Sequence, residues 1–66
     1  MEAIEKRLKT LMFRGDMSVK EFAASINMNA SAMSSVLNGI SKPRLDTLIK
    51  VANAYAVSLD WLCGGE

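Results

Sequence analysis

Histidine is absent from these 66 residues, and cysteine, proline and tryptophan occur once each. A single cysteine leaves no disulfide to be made within the chain. Without histidine, a metal site would have to be assembled from carboxylates around one thiolate, so no metal is expected. No apolar run approaches the roughly 18 residues that cross a bilayer, and the N-terminus shows no apolar h-region of a secretion signal, so no membrane partner is expected. A free thiol in such a chain points to a reducing cytoplasm. There is no glycine-rich phosphate loop and no evident pair of carboxylates, so neither an enzyme, a cofactor nor a small-molecule ligand is expected. A chain this short also buries only about 60% of its unfolded surface, too little for most catalytic architectures.

An excess of one charge is missing too. Eight Lys+Arg stand against seven Asp+Glu, for a net charge of +1. A charged partner, nucleic acid above all, must then be met by where the basic residues lie rather than by their number. What the chain has in quantity is apolar residues, 50% of the total. That is too many for disorder, and their spacing is helical.

Five helical segments can be read, with no strand, which predicts an all-α domain. The first, about Glu2 to Phe13, carries Ile4, Leu8, Leu11 and Met12 as a stripe of period 3.6, and Gly15 is expected to end it in the left-handed region. The second opens on Ser18, an N-cap with Glu21 three positions on as its capping-box partner and Met17 stapled onto Phe22. Phe22, Ala23 and Ile26 form its inner face, and Asn27 ends it. Asn29 caps a third segment, Ala30 to about Leu37, with Met28 and Met33 as its staple. Met33, Val36 and Leu37 face inward, and Asn38-Gly39 closes it. After a loop from Ile40 to Pro43, a fourth helix runs roughly from Leu45 to Ala56, with Leu45, Leu48, Ile49, Ala52 and Tyr55 as its buried face. Ser58 caps a short fifth, Leu59 to Cys63, with Val57 stapled onto Leu62 and Cys63 buried or half-buried.

Two short helices joined by about four residues, the second carrying small polar side chains outward, form a helix-turn-helix arrangement. The run VKEFAASINMNASAMSSVLNGI, from Val19 to Ile40, resembles the helix-turn-helix of the lambda-repressor-like family of Cro and CI-type phage regulators. The likeness continues through Pro43 and LDTLIKVANAYAVSLDWL, similar to the family's fourth and fifth helices, and so covers about residues 4 to 63. Ala23 at the helix-helix contact, Met33 and Val36 in the core of the recognition helix, and the Asn38-Gly39 terminus carry it jointly. The resemblance implies a compact five-helix fold with residues 1–63 as the DNA-binding domain. It implies a flexible C-terminal end at 64–66, since LDWLCGGE is similar to the junction where larger phage repressors pass into a linker.

The resemblance also implies a function: a cytoplasmic, nucleoid-associated bacterial regulator, phage or prophage in type, that binds double-stranded DNA as a homodimer on a two-fold operator. Ala30, Ser31, Ser34 and Ser35 fall where the family reads base edges, and Ser41 in the following loop joins them. Serine both donates and accepts, so it discriminates less than a bidentate Gln, Asn or Arg, and DNA shape is expected to carry part of the specificity. Val19, through its backbone amide, with Lys20, Asn38, Lys42 and Arg44, falls where phosphates are held. The recognition helix is uncharged, and Glu21 and Asp46 are expected to point away from it. Leu59, Trp61 and Leu62 are the candidate dimer contacts, weak if the chain is a fragment. This short terminal helix, with its Trp and Leu residues, either closes the core or offers an apolar patch to a second copy.

One departure is structural. Many family members set an Arg of the first helix against a Glu near the end of the third. Here those positions hold Met12 and Leu37, and an apolar contact replaces the ion pair, an exchange that is often neutral or stabilising. A different function stays open beside DNA binding. The same fold serves as a protein-interaction module, antitoxin-like or as an anti-repressor partner, and the near-neutral charge and serine-rich helix suit that role as well.

Overall fold

The computed structural model of the chain describes residues 2–64, the side chain of Glu2 excepted. Five helices follow one another: α1 (Glu2–Arg14), α2 (Val19–Ser25), α3 (Ala30–Leu37), α4 (Leu45–Tyr55) and α5 (Leu59–Leu62). Among the described residues there is no strand. α2 packs on α3, α1 crosses behind α3 and meets α5, and α5 folds back on α4. All five helical segments feed one core: Ile4, Leu8, Leu11 and Met12; Phe22, Ala23 and Ile26; Met33, Val36 and Leu37; Leu48 and Val51; and Leu62. No described polar or charged side chain is buried in it. Met12 and Leu37 both belong to the core, as an apolar replacement for an ion pair requires.

The helix starts follow the local chemistry. Ser18 accepts the Glu21 amide at 3.1 Å while a Glu21 carboxylate oxygen accepts the Ser18 amide at 2.8 Å, a closed capping box. Asn29 Oδ1 accepts the Ala32 amide at 2.7 Å, and Ser58 Oγ accepts that of Trp61 at 3.0 Å. Met17, Met28 and Val57, each just before a cap, are half-buried against the core, where staple residues belong.

The helix ends hold two departures from expectation. After α1 the left-handed residue is Asp16 (φ 51°), not Gly15. The amide of Asp16 bonds the Phe13 carbonyl at 3.1 Å and that of Met17 the Met12 carbonyl at 3.0 Å, a Schellman turn one residue later than Gly15 suggested. Aspartate tolerates this region, and a Cβ at Gly15 would lie 2.7 Å from Met17 Cε, the mobile end of a flexible side chain. The second departure is Ala56, left-handed at φ 54° although it carries a Cβ. Asn27 (φ 59°) and Gly39 (φ 75°) close α2 and α3 as their types suggest.

The rotation of α4 differs from the one read from spacing. Leu48 and Val51 are buried, with Ala52 and Tyr55 partly so, while Leu45 and Ile49 are 66% and 41% exposed. α4 is apolar at nearly every position but 46, 47, 50 and 53, so two stripes compete. Packing against α5 and the core selects the one through Leu48, Val51 and Tyr55. Tyr55 stands 5.5 Å from the Phe22 ring and its hydroxyl bonds Ser25 Oγ, which donates in turn to the Phe22 carbonyl at 2.6 Å. That chain fastens the C-terminal end of α4 to α2.

α5 stops at Leu62, and Cys63 is exposed rather than buried or half-buried. With the helix ended, no further turn carries the thiol toward the core. Of the flexible end expected at 64–66, residues 65 and 66 lie outside the described residues. Gly64 (φ 83°) closes a turn onto the Trp61 carbonyl at 3.0 Å, and a Cβ there would lie 2.7 Å from that of Ala3.

Candidate nucleic-acid interface

α3 turns Met33, Val36 and Leu37 into the core, which leaves its other side chains at the surface. Ala30 and Ser31 are exposed, and Ser34 and Ser35 half-buried. At its C-terminal end Gly39 reverses the chain, and the Ser35 carbonyl accepts the amides of both Ile40 (2.9 Å) and Ser41 (3.2 Å). The loop is thereby folded back onto α3, and Ser41 comes to lie by Ser35.

The result is an open groove of about 630 Å³ between α3, the loop and the start of α4. Ser31, Ala32 and Ser35 line one wall, Ser41, Lys42, Pro43 and Arg44 the loop edge, and Asp46, Thr47 and Lys50 the α4 wall, with Met28 and Val36 completing the lining. Arg44 is the N-cap of α4 by backbone position but makes no capping bond with its side chain. Among the described residues the side chains of Lys42, Arg44 and Lys50 make no ion pair or hydrogen bond. They remain available to a ligand.

Five of the ten expected DNA-contacting residues therefore come together: Ser31, Ser35, Ser41, Lys42 and Arg44. The others do not line this groove. Ala30 sits at the first position of α3, and Ser34 is engaged by Asn38, whose Nδ2 donates to its hydroxyl at 3.3 Å. Val19 and Lys20 lie on α2, where the Ser18 cap serves Glu21 and leaves their two amides without an intrahelical partner. Lys50 and Thr47 were missed by sequence reasoning. Their signal was present, since they share a face with Asp46, but that face could be recognised only once the rotation of α4 was known.

Asp46 corrects an expectation. It lines the groove instead of pointing away, with Oδ1 accepting the Thr47 amide at 3.0 Å at the start of α4. The same rotation that exposes Leu45 and Ile49 brings it there. Glu21 does stay apart, held in its capping box.

The expected dimer residues divide as well. Leu62 is wholly buried and offers no surface, because α5 uses it to plug the core. Leu59 and Trp61 are half-buried. The Trp61 ring carries Arg7 over it at 4.7 Å and Arg14 at 5.6 Å, so α1 and α5 are joined by cation–π contacts of about 0.5–1 kcal/mol each at such exposed sites. Trp61 thus closes the domain on α1.

Among the described residues no cluster of side chains could hold a metal ion, and no helix is long and apolar enough to cross a membrane. Comparison with known proteins finds a helix-turn-helix family model matching residues 5–62. A curated relative, the HTH-type transcriptional regulator ImmR of Bacillus subtilis (strain 168), is 34% identical over 64 residues, which cover 97% of this chain and 50% of the relative. The chain thus spans about half the length of that protein. No solved structure matches. With two short helices packed at a four-residue turn and a family match over nearly its whole length, the chain belongs to the helix-turn-helix family and has its lambda-repressor-like fold.

Proposed function

We propose that this domain is a sequence-specific, double-stranded DNA-binding transcriptional regulator of the phage or prophage repressor type, working in the bacterial cytoplasm. The observation that carries the reading is the groove along α3, where serines of the recognition helix meet three unpaired cations. α3 enters the major groove with Ala30, Ser31, Ser34 and Ser35 toward base edges and Ser41 beside them. Lys42 and Arg44 hold phosphates at the C-terminal side of α3, while Lys20, Asn38 and the Val19 amide hold others. A homodimer on a two-fold operator supplies the affinity that one small domain lacks, with half-sites about one helical turn apart. Leu59 and Trp61 remain its candidate contacts, Leu62 being enclosed. Bound in this way, the protein acts by occlusion, with no chemistry of its own.

Selection from a random duplex library at low salt tests this reading. Enrichment of a palindrome with half-sites about one turn apart is the expected result. The uncharged, serine-bearing outer face of α3 favours a second reading, a protein-interaction module of the same fold, antitoxin-like or an anti-repressor partner. Failure to retain any duplex at low salt would make that reading the better one.

A further inference from the structure

The groove beside α3 has a second wall, and the expected set of phosphate contacts does not use it. Thr47 and Lys50 reach the groove from α4, three residues apart and therefore on one face of that helix. We infer that the sugar–phosphate backbone of the duplex read by α3 lies in this groove, with Lys50 as a phosphate contact supplied by α4 and Asp46 as an opposing charge that limits the grip. The inference rests on the DNA-binding reading above and extends it to an element outside the helix-turn-helix.

Three observations support it. The first is the distribution of charge. Lys42, Arg44 and Lys50 against Asp46 give the groove a net +2, so the rest of a chain of net +1 sums to −1. The positive charge is thus concentrated at one place, and that place is where α3 presents its serines. The second is availability. None of the three cationic side chains is committed to a carboxylate or a hydrogen bond among the described residues, although Asp46 lines the same groove. Low-dielectric walls from Met28, Val36 and Pro43 focus the field of such unpaired charges on whatever enters. The third is the position of Asp46, fixed at the start of α4 by its bond to the Thr47 amide. A phosphate that reaches Lys50 passes a carboxylate with no cation paired to it, which costs binding on every sequence alike and leaves the serine contacts a larger share of the total.

The test is binding of the whole chain to a fluorescein-labelled duplex of random sequence, followed as a function of salt. The parent, Lys50→Ala, Lys50→Met, Asp46→Asn and Lys42→Ala are compared. Lys50→Ala and Lys50→Met, the second keeping the apolar stem, are both expected to weaken binding several-fold and to flatten the slope of log K against log salt by about 0.9, the amount due to one phosphate. Asp46→Asn keeps an oxygen for the Thr47 amide and is expected to strengthen binding several-fold. Lys50 variants with the parent's slope would overturn the inference, and Lys42→Ala in the same series shows whether the DNA reading survives it. Asp46→Asn with unchanged affinity would take the carboxylate out of the backbone's path. A parent that retains no duplex at low salt overturns both readings together. Thermal melts of every variant that coincide with the parent's assign the changes to binding.

Discussion

α3 and α4 face each other across the same groove and bring opposite things to it. The outer face of α3 carries alanine and serine and no charge, while the loop edge and α4 carry three cations and a carboxylate. On the DNA-binding reading proposed above, base reading falls mainly to α3 and the grip on this side to the loop edge and α4. An uncharged α3 adds nothing to the salt-dependent attraction that every duplex feels alike, which is left to the flanking cations. The two helices differ on their inner sides as well. α3 has one apolar stripe and could be buried in one way only. α4 has two, and its rotation is set by partners distant in sequence.

The contrast can be broken most forcefully from inside. Leu48→Ala and Leu37→Ala are each expected to cost about 2–5 kcal/mol in urea denaturation, comparable with the whole stability of a domain this size. Leu45→Ala removes the same atoms three positions from Leu48, but from an exposed site, and is expected to change stability by less than about 0.5 kcal/mol. Equal losses at Leu45 and Leu48 would mean that α4 is rotated as the spacing first suggested. A smaller effect of opposite sign is expected at the end of the same helix. Ala56→Gly relieves a left-handed alanine and should raise stability by about 1 kcal/mol. No gain in the thermal melt would show that Ala56 is not held in that conformation in solution.

On the outer faces, the changes appear in binding and hardly in folding. Ser31→Ala with Ser35→Ala should leave stability within about 0.5 kcal/mol while lowering the preference for operator over random duplex in competition experiments. Lys42→Ala should weaken binding to all sequences alike and flatten the salt dependence, with the preference intact. If the serine pair altered the salt slope, or Lys42 the preference, the division between reader and grip would fall.

What could be read from the chain divides along the same line. Caps are local, so Ser18 with Glu21, Asn29 and Ser58 located three helix starts, and each forms the bond its spacing implied. The inner faces of α1, α2 and α3 were equally legible, because each has a single apolar stripe. The rotation of α4 was legible only in part: Leu48, Ala52 and Tyr55 face the core as expected, but Leu45 and Ile49 on one flank compete with Val51 on the other, and only packing separates them. Everything that depended on that rotation was lost with it: the burial of Val51, the entry of Asp46 into the groove, and the reach of Lys50 and Thr47. Whether Leu62 closed the core or faced a second copy stayed open for a related reason. A one-turn helix has no periodicity from which an inner side could be told.

Trp61 is the chain's sole tryptophan, and two guanidinium groups from the opposite end of the sequence stand over its ring. Its fluorescence is consequently a built-in gauge of one particular contact, the closure of the chain's last helix on its first. Helicity measured by far-ultraviolet dichroism is dominated by the four longer helices. On gentle heating the two signals can be compared directly. If the indole emission shifts first, the domain opens by releasing its terminal clasp before its core yields; if they move together, the clasp and the core are one cooperative unit.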